Sequence, residues 1–177
     1  MEPSVNAMEP AAGFEQLVLP HLDAAYNLAH WLAGNDHDAE DIAQEACARA
    51  WQFRGGYRGG NSRAWLLAIV RNTAYTWLKK NRPQSMVTLN DDDFAAIEDP
   101  AGQIPAYQTA DASALRNALE ELPLEFREAL VLRELEGLSY KEIADVSQVP
   151  LGTVMSRLAR ARRQLLAVFQ RKGEVPK

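Results

Sequence analysis

The chain has 177 residues, of which 47% are hydrophobic, with a formal net charge of −5, three histidines and one cysteine. That length suffices for one full domain or two small ones with packed cores. The single cysteine excludes an internal disulfide framework, the histidines offer no pair at metal-ligand spacing, and no apolar run reaches the roughly 20 residues that span a bilayer. We therefore expect a cytoplasmic globular protein without a membrane span, a metal or a cofactor, in which Cys47 is a small buried hydrophobic residue.

The charges are unevenly distributed along the chain, which the net charge conceals. Residues 84–111 contain six acidic residues and no Lys or Arg, whereas residues 153–177 contain seven basic residues and one acid. The acidic stretch also contains prolines, and its apolar residues follow no helical or alternating period. We expect a flexible acidic linker at 84–111 between helical domains at 14–83 and 112–172. No alternating strand pattern persists, so the predicted fold class is all-α.

The first helical pattern follows Asp38, which is a suitable N-cap residue. Its apolar residues recur at spacings of four, four and three, at Ile42, Ala46, Ala50 and Phe53. The opposite face of this helix is acidic. It is either exposed to solvent or a surface that binds a basic partner, and the residues alone favour the solvated interpretation. That face consists of Glu40, Asp41, Gln44 and Glu45.

A glycine-rich loop at 54–61 comes next, and its four glycines permit unusual backbone dihedrals. Tyr57, Arg54 and Arg58 supply stacking and positive charge in this loop. Ser62 or Asn61 then caps a long helix that ends before Pro83.

The long helix runs to about Lys80 and has two kinds of surface. Its predicted inward positions are Leu66, Ile69, Val70, Thr73 and Trp77. Its outward positions interleave basic and aromatic side chains, as single-stranded nucleic-acid platforms do; they are Arg63, Arg71, Asn72, Tyr75, Lys79 and Lys80. Aromatic residues at helical spacing more often lie in a core, so we expect Trp65 and Trp77 to be at least partly structural.

The second block has the pattern of a helix-turn-helix. Its first helix is predicted at 124–136, with Gly137 at its C-terminal cap. Ser139 and Glu142 match a capping box at the start of a short helix, whose inward residues are Ile143, Ala144 and Val146. The segment 147–150 turns the chain into a final helix from about Leu151. Gln148 stands where many such turns have glycine, so there are two expectations: either Gln148 adopts a left-handed conformation at a cost of about 1–2 kcal/mol, or the turn differs slightly.

The final helix has one apolar stripe and one cationic, polar arc. At about 100° per residue, one narrow arc contains Val154, Leu158, Ala161, Leu165 and Val168. The other arc is expected to point outward as a recognition helix does, with hydroxyls near its N-terminus for base edges and arginines for phosphates or guanine. It consists of Thr153, Ser156, Arg157, Arg160 and Arg163.

Three runs in this order resemble extracytoplasmic-function sigma factors of the sigma-70 family. They are DAEDIAQEACARAW (38–51), WLLAIVRN (65–72), and LSYKEIA (138–144) with PLGTVMSRLARAR (150–162). The resemblance covers both helical blocks and implies a non-enzymatic factor that gives RNA polymerase promoter specificity. Larger sigma factors carry further domains for which this chain has no room.

The resemblance also implies a role for each surface. The acidic face would bind a basic coiled coil of the core polymerase, which reverses the solvated interpretation; its residues are Asp38, Asp41, Gln44 and Glu45. The loop and long helix would recognise and melt the minus-ten element, through Tyr57, Asn61, Arg63, Trp65, Arg71, Asn72 and Lys80. The helix-turn-helix would read the minus-thirty-five element as duplex, through Ser139, Tyr140, Thr153, Ser156, Arg157, Arg160 and Arg163.

The implied partners are core RNA polymerase, promoter DNA as duplex and melted strand, and an anti-sigma factor. An autonomous helix-turn-helix regulator is the alternative, but it leaves the first block unexplained. A nucleic-acid enzyme lacks support, because the sequence shows no phosphate-binding glycine loop and no nucleophile with a base. An adaptor that only resembles a sigma factor would not need the arginine-rich final helix.

Overall fold

The computed structural model describes residues 10–85 and 111–173, and the side-chain surroundings within 13–84 and 111–173. The first block comprises α1 (Pro10–Val18), α2 (Leu22–Ala33), α3 (Asp36–Phe53) and α4 (Ser62–Asn81), with 3-10 turns at Leu19–His21, Arg54–Gly56 and Pro83–Ser85. The second comprises α5 (Ala112–Glu120), α6 (Leu124–Leu130), a π-helical turn (Val131–Leu135), α7 (Tyr140–Ser147) and α8 (Leu151–Lys172). These two ranges contain no strand, which confirms the all-α prediction. Most of the predicted linker, residues 86–110, lies outside the described residues.

In the first block, α2, α3 and α4 pack around a shared apolar core. The stripe predicted on α3 is buried at Ile42, Ala46 and Ala50, but Phe53 is 58% exposed. Phe53 is the last residue of α3, and Trp51 beside it is also exposed, so the final turn of the helix projects past the core.

The start of α3 differs from the prediction that Asp38 is its N-cap. Asn35 caps the helix instead, since its backbone is extended and its Oδ1 accepts a hydrogen bond of 2.9 Å from the Asp38 backbone N–H. The helix therefore begins earlier, with Asp36 and Asp38 in its first turn, where carboxylates interact favourably with the helix dipole. Of the two candidate caps for α4, Asn61 is the one observed, because its Oδ1 accepts from the Ala64 N–H at 3.1 Å.

Helix α4 is buried on two sides, whereas the sequence predicted a single inward stripe. Leu66, Val70 and Thr73 are buried as predicted, while Ile69 and Trp77 are half-buried. The other side packs against α7 of the second block, and α2 packs against α6. The apolar cores of the two blocks thus form one continuous cluster. Tyr75, predicted to point outward, is covered by this packing.

The helix-turn-helix agrees closely with the sequence prediction. The capping box is present: Ser139 Oγ accepts from the Glu142 N–H at 3.1 Å, and Glu142 Oε2 accepts from the Ser139 N–H at 2.8 Å. Gly137 and Gln148 adopt positive φ angles of 66° and 54°. Every residue of the apolar stripe predicted on α8 is buried, namely Val154, Leu158, Ala161, Leu165 and Val168. The predicted helix 124–136 is α-helical only to Leu130 and widens into the π turn after it.

The strained turn before α8 predicts a stabilising substitution. Gln148 is exposed and left-handed, so Gln148→Gly should raise the free energy of unfolding by about 1 kcal/mol, because it removes the Cβ clash without losing packing. Gln148→Ala keeps the Cβ and is the matched control, for which we expect little change. Urea denaturation of the two variants compares them. A glycine variant no more stable than the alanine variant would contradict this explanation.

Candidate functional site

Three of the four residues predicted on the acidic face lie together on the surface of α3. Asp41, Gln44 and Glu45 are exposed, and Glu45 Oε1 accepts from Arg49 Nη2 at 2.6 Å one turn later. This side of α3 therefore presents an anionic surface that a cationic partner can reach.

Asp38, the fourth predicted residue, has a different environment. Its side chain is 17% exposed and forms an ion pair with Arg82, whose Nη1 also donates to the Ala33 carbonyl at 2.6 Å. Asp38 thus ties the start of α3 to the end of α4. His37, Asp38 and Asp41 place their ligand atoms within 4.8 Å of one another. Because the Arg82 guanidinium already satisfies Asp38, we interpret this group as an acidic cluster and not as a metal site.

The glycine-rich loop is closed by its own tyrosine. Tyr57 donates its hydroxyl to the Gly60 carbonyl at 2.7 Å, and its ring meets the Trp65 ring edge-on at 5.4 Å between centroids. Gly59 and Gly60 adopt φ angles of 90° and 92°, which side chains with a Cβ rarely tolerate. Tyr57 and Trp65 are both half-buried, so they form an aromatic base under the loop while keeping part of each ring accessible.

The polar residues predicted along α4 divide into two groups. Asn72 and Lys80 are exposed. Asn61, which is also exposed, and the half-buried Arg63 and Arg71 contact carboxylates of the second block. The contacts are Asn61 Nδ2 to Glu142 Oε1 at 2.5 Å, Arg63 Nη2 to Glu136 Oε2 at 3.2 Å, and Arg71 Nε to Glu128 Oε1 at 2.9 Å.

Glu128 on α6 is the buried centre of these contacts, with a side chain 1% exposed. Besides Arg71 it accepts hydrogen bonds from the Tyr75 hydroxyl and from Ser147 Oγ, the latter at 2.9 Å. The Arg71 guanidinium lies over the Tyr75 ring at 3.9 Å. Donors from α4 and α7 thus converge on one carboxylate of α6, which satisfies a charge that would otherwise be costly to bury.

The titration of the neighbouring groups reflects this burial. Burial, and next the Glu128 carboxylate, raise the pKa of Tyr75 well above its ordinary value. Burial lowers the pKa of Arg71, but the Glu128 carboxylate and the Tyr75 side chain together outweigh the effect of burial, so the net shift of the Arg71 pKa is upward. The Ser139 N–H, and then Asn61, lower the pKa of Glu142. Tyr75 is therefore neutral, and Arg71 and Glu142 are charged, at neutral pH.

The residues predicted on the helix-turn-helix differ in their surroundings and in how exposed they are. Ser139 caps α7, and the Tyr140 ring lies 4.9 Å from the Arg133 guanidinium. Arg163 is exposed, and Thr153, Ser156 and Arg160 are half-buried on α8.

The prediction that Arg157 points outward is wrong, since this residue is 7% exposed. The reason lies in the helix geometry. At about 100° per residue, Arg157 falls next to Val154 and Ala161, on the flank of the apolar stripe.

Two exposed residues near the start of α8 were not predicted from the sequence. Leu151 and Met155 are 49% and 41% exposed at the N-terminal end of α8, where a recognition helix approaches base edges. Met155 lies well outside the arc of the apolar stripe, and that was the available signal, whereas Leu151 lies at the edge of that arc and is exposed as the first residue of α8. Both residues are hydrophobic and were therefore expected to be buried.

Two family profiles match separate parts of the chain. The profile of Sigma-70 region 2 matches residues 17–84, which include α2 to α4. The profile of Sigma-70, region 4 matches residues 112–165, which include the helix-turn-helix.

Curated relatives match most of the chain. The sequence is 38% identical over 172 residues to the ECF RNA polymerase sigma factor SigE of Mycolicibacterium smegmatis, covering 93% of this chain and 67% of that protein. It is 36% identical over 166 residues to the RNA polymerase sigma-H factor of Pseudomonas aeruginosa, covering 89% of this chain and 86% of that protein.

Solved structures share the fold across both blocks. The sigma factor RpoE of Bartonella quintana, solved in complex with the anti-sigma factor NepR, matches with a TM-score of 0.69 and 28% identity, covering 89% of this chain and 97% of that chain. CnrH in complex with the cytosolic domain of CnrY matches with a TM-score of 0.62 and 24% identity, covering 91% and 90%, and supports the fold alone.

The contrast between Asp38 and Asp41 predicts different effects on stability. Asp38→Ala should lower the free energy of unfolding by about 1–2 kcal/mol, because it leaves the Arg82 side chain without its carboxylate. Asp41→Ala, at an exposed position, should change it by less than about 0.5 kcal/mol. Both values are measured by urea denaturation. Equal effects at the two positions would contradict a structural role for Asp38.

Proposed function

This chain belongs to the sigma-70 family, as an extracytoplasmic-function sigma factor, and we propose that its first block docks on core RNA polymerase through the exposed acidic face of α3. Sigma factors bind core RNA polymerase and direct it to promoters, and they are initiation factors rather than enzymes. One observation carries this function: the chain contains both matched regions, in the order that they have in the family.

The docking surface is proposed at Asp41, Gln44 and Glu45. These three side chains are exposed on one side of α3, so a basic coiled coil can approach them without rearrangement of the block. Complementary charge increases the association rate and fixes the orientation of such a contact. Asp38, which is engaged by Arg82, would act by holding the start of α3 in place.

The minus-ten reader is proposed at the glycine-rich loop and α4. The half-buried Tyr57 and Trp65 rings offer faces for a base that leaves the stack, and α4 supplies Arg63, Arg71 and Lys80 for the backbone. Unstacking a base costs a few kcal/mol, which aromatic stacking of about 1–3 kcal/mol per base can offset.

The minus-thirty-five reader is proposed at the N-terminal part of α8. Ser156 and Thr153 would contact base edges, and Arg160 and Arg163 would contact phosphates or guanine. The exposed Leu151 and Met155 add an apolar surface of the kind that contacts thymine methyl groups. Arg157, which is buried, would support the helix and not read a base.

Polymerase would convert these two weak readers into one bivalent reader. Once both blocks are held on the enzyme, the second DNA contact becomes effectively intramolecular. The predicted domains at 14–83 and 112–172 and the acidic linker at 84–111 are parts of this proposal. The linker would follow the basic channel of the polymerase.

We also propose control by an anti-sigma factor and a cytoplasmic location. The support for control is that the similar structure of RpoE was solved in complex with the anti-sigma factor NepR. No helix in the described part of the chain is both long and apolar enough to cross a membrane. No observation favours the alternative of an autonomous regulator, because the first block also matches a sigma region.

Reversing the charge of the docking face tests the proposed function. Run-off transcription from a pool of promoter fragments with core polymerase should give defined transcripts, which Asp41→Arg with Glu45→Arg should reduce at least about tenfold through charge repulsion at the interface. The matched control reverses Glu15 and Asp23, exposed acids on α1 and α2, and should retain transcription.

Two results would count against the proposal. Equal loss in both double variants would show a general charge effect and not a docking face. If no fragment is transcribed but the protein alone shifts a specific duplex, the autonomous regulator is the better interpretation.

A further inference from the structure

A cavity of about 560 Å³ lies where the two blocks meet. One wall is formed by the C-terminal ends of α2 and α4, and the other by the connection from α5 to α6. A cavity of this volume is within the range of sites that bind small organic molecules. None of the residues proposed to contact polymerase or promoter DNA lines it, so the cavity is a candidate site for a separate ligand.

The inner walls of the cavity are apolar. Four leucines supply most of this surface, two from each block, and each is at most 9% exposed: Leu32, Leu78, Leu122 and Leu124. An apolar group that enters the cavity loses contact with water and packs against these side chains, which is favourable. The cavity therefore suits a ligand with a hydrocarbon body.

Arg127 lines the cavity but serves as a cap for the ends of two helices. It donates to four backbone carbonyls at 2.9–3.2 Å, namely those of Trp31, Leu119, Glu120 and Leu122. Three of these carbonyls belong to the last turns of α2 and α5, where the partial negative charge of a helix C-terminus offsets the charge of the guanidinium. With four of its five N–H groups engaged, Arg127 cannot offer the paired donors that bind a carboxylate or phosphate.

Arg82, the second arginine of the lining, is engaged in a similar way. Its Nη1 donates to the Ala33 carbonyl at the end of α2, at 2.6 Å, and its guanidinium forms an ion pair with Asp38. A carboxylate and a helix C-terminus thus offset the charge of Arg82. The two arginines hold the walls in place and do not make the cavity a site for an anion.

The two acidic residues of the lining differ in their partners. Glu121 forms ion pairs with Arg171 and with Lys172, the latter at 2.7 Å. Glu120 is exposed, and its carboxylate forms no hydrogen bond or ion pair with any residue in the described ranges 10–85 and 111–173. Glu120 therefore supplies an uncompensated negative charge at the mouth of the cavity, and the complement of that charge is a cation.

We infer that the cavity binds a small amphipathic cation, an organic ammonium whose hydrocarbon body packs against the four leucines and whose charged group pairs with Glu120. The inference goes beyond the proposed roles of α3, α4 and α8 and does not depend on them. Because each block supplies one wall, the two blocks bind the ligand together. Bound ligand therefore increases the population of this arrangement by mass action.

Three probes of similar size and different charge test the inference: phenylbutylamine, phenylbutanol and phenylbutyrate. At neutral pH the amine is a cation, the alcohol is neutral and the carboxylate is an anion. Each probe is titrated into the full-length protein, labelled isotopically at its leucine methyl groups. The chemical shifts of the methyl signals in NMR spectra give both the location of the probe and its Kd.

We expect phenylbutylamine to bind with a Kd of about 1 mM, as is ordinary for a ligand of its size. It should shift the methyl signals of Leu32 and Leu78 together with those of Leu122 and Leu124. Attraction to Glu120 should make it bind about threefold more tightly than phenylbutanol. Repulsion by the same carboxylate should make phenylbutyrate the weakest of the three probes.

Glu120→Gln removes the charge at the mouth of the cavity and keeps the size of the side chain. In this variant phenylbutylamine should bind no more tightly than phenylbutanol, whose Kd should stay at the wild-type value. The matched control is Glu15→Gln, at an exposed position on α1 outside the lining, and it should keep the preference for the amine. The two probes are compared on the same protein, so a change in its stability affects both equally.

Four results would overturn the inference. If no probe shifts the four leucines at concentrations tenfold above the expected Kd, the cavity takes no ligand of this class. Shifts confined to one block would place the probe elsewhere. Binding of phenylbutanol or phenylbutyrate as tight as that of phenylbutylamine would show that the site does not select a cation, and an unchanged preference in Glu120→Gln would show that Glu120 is not the selecting group. The run-off transcription test uses none of these probes, so the proposed function is judged separately.

Discussion

A carboxylate buried inside a protein requires hydrogen-bond donors. Glu128 is such a carboxylate, and the arrangement of the two blocks depends on meeting this requirement. Its donors come from α4 and from α7. If the blocks separated without solvent reaching this site, a buried charge would remain unpaired at high cost. The apolar contacts between the blocks supply attraction without direction, whereas the hydrogen bonds to Glu128 fix the relative placement of α4 and the helix-turn-helix.

Much of the fold could be predicted from the sequence, because its signals are local. The capping box at Ser139 and Glu142, the left-handed Gln148 and the apolar stripe of α8 each depend on a few neighbouring residues. The parts that failed depend on distant residues. Nothing near Glu128 in the sequence indicates that Arg71, 57 residues earlier along the chain, will reach it.

The residues of the candidate site divide in the same way, into those that local sequence spacing predicts and those that it does not. The exposed residues of the acidic face were predictable from helical spacing, as were the exposed Asn72 and Lys80 of α4. The exposure of Leu151 and Met155 was not predictable in this way, because large hydrophobic side chains are usually expected to be buried. Arg157 failed for the opposite reason, since a charged residue was assumed to be solvated although its angular position borders the core.

These features suggest an order of events during initiation. The acidic face of α3 is exposed while α7 packs against one side of α4. Under the proposed function, polymerase would therefore bind the first block before the two blocks separate to contact the two promoter elements. The most direct measurement is the distance between spin labels at Asn27→Cys on α2 and Gln164→Cys on α8, in a Cys47→Ala background, for the free protein and for the promoter-bound polymerase complex. One narrow distribution in the free protein that shifts to longer distances in the complex is the predicted result. An unchanged distribution in a complex that transcribes would contradict the proposal that the two blocks separate to contact two promoter elements.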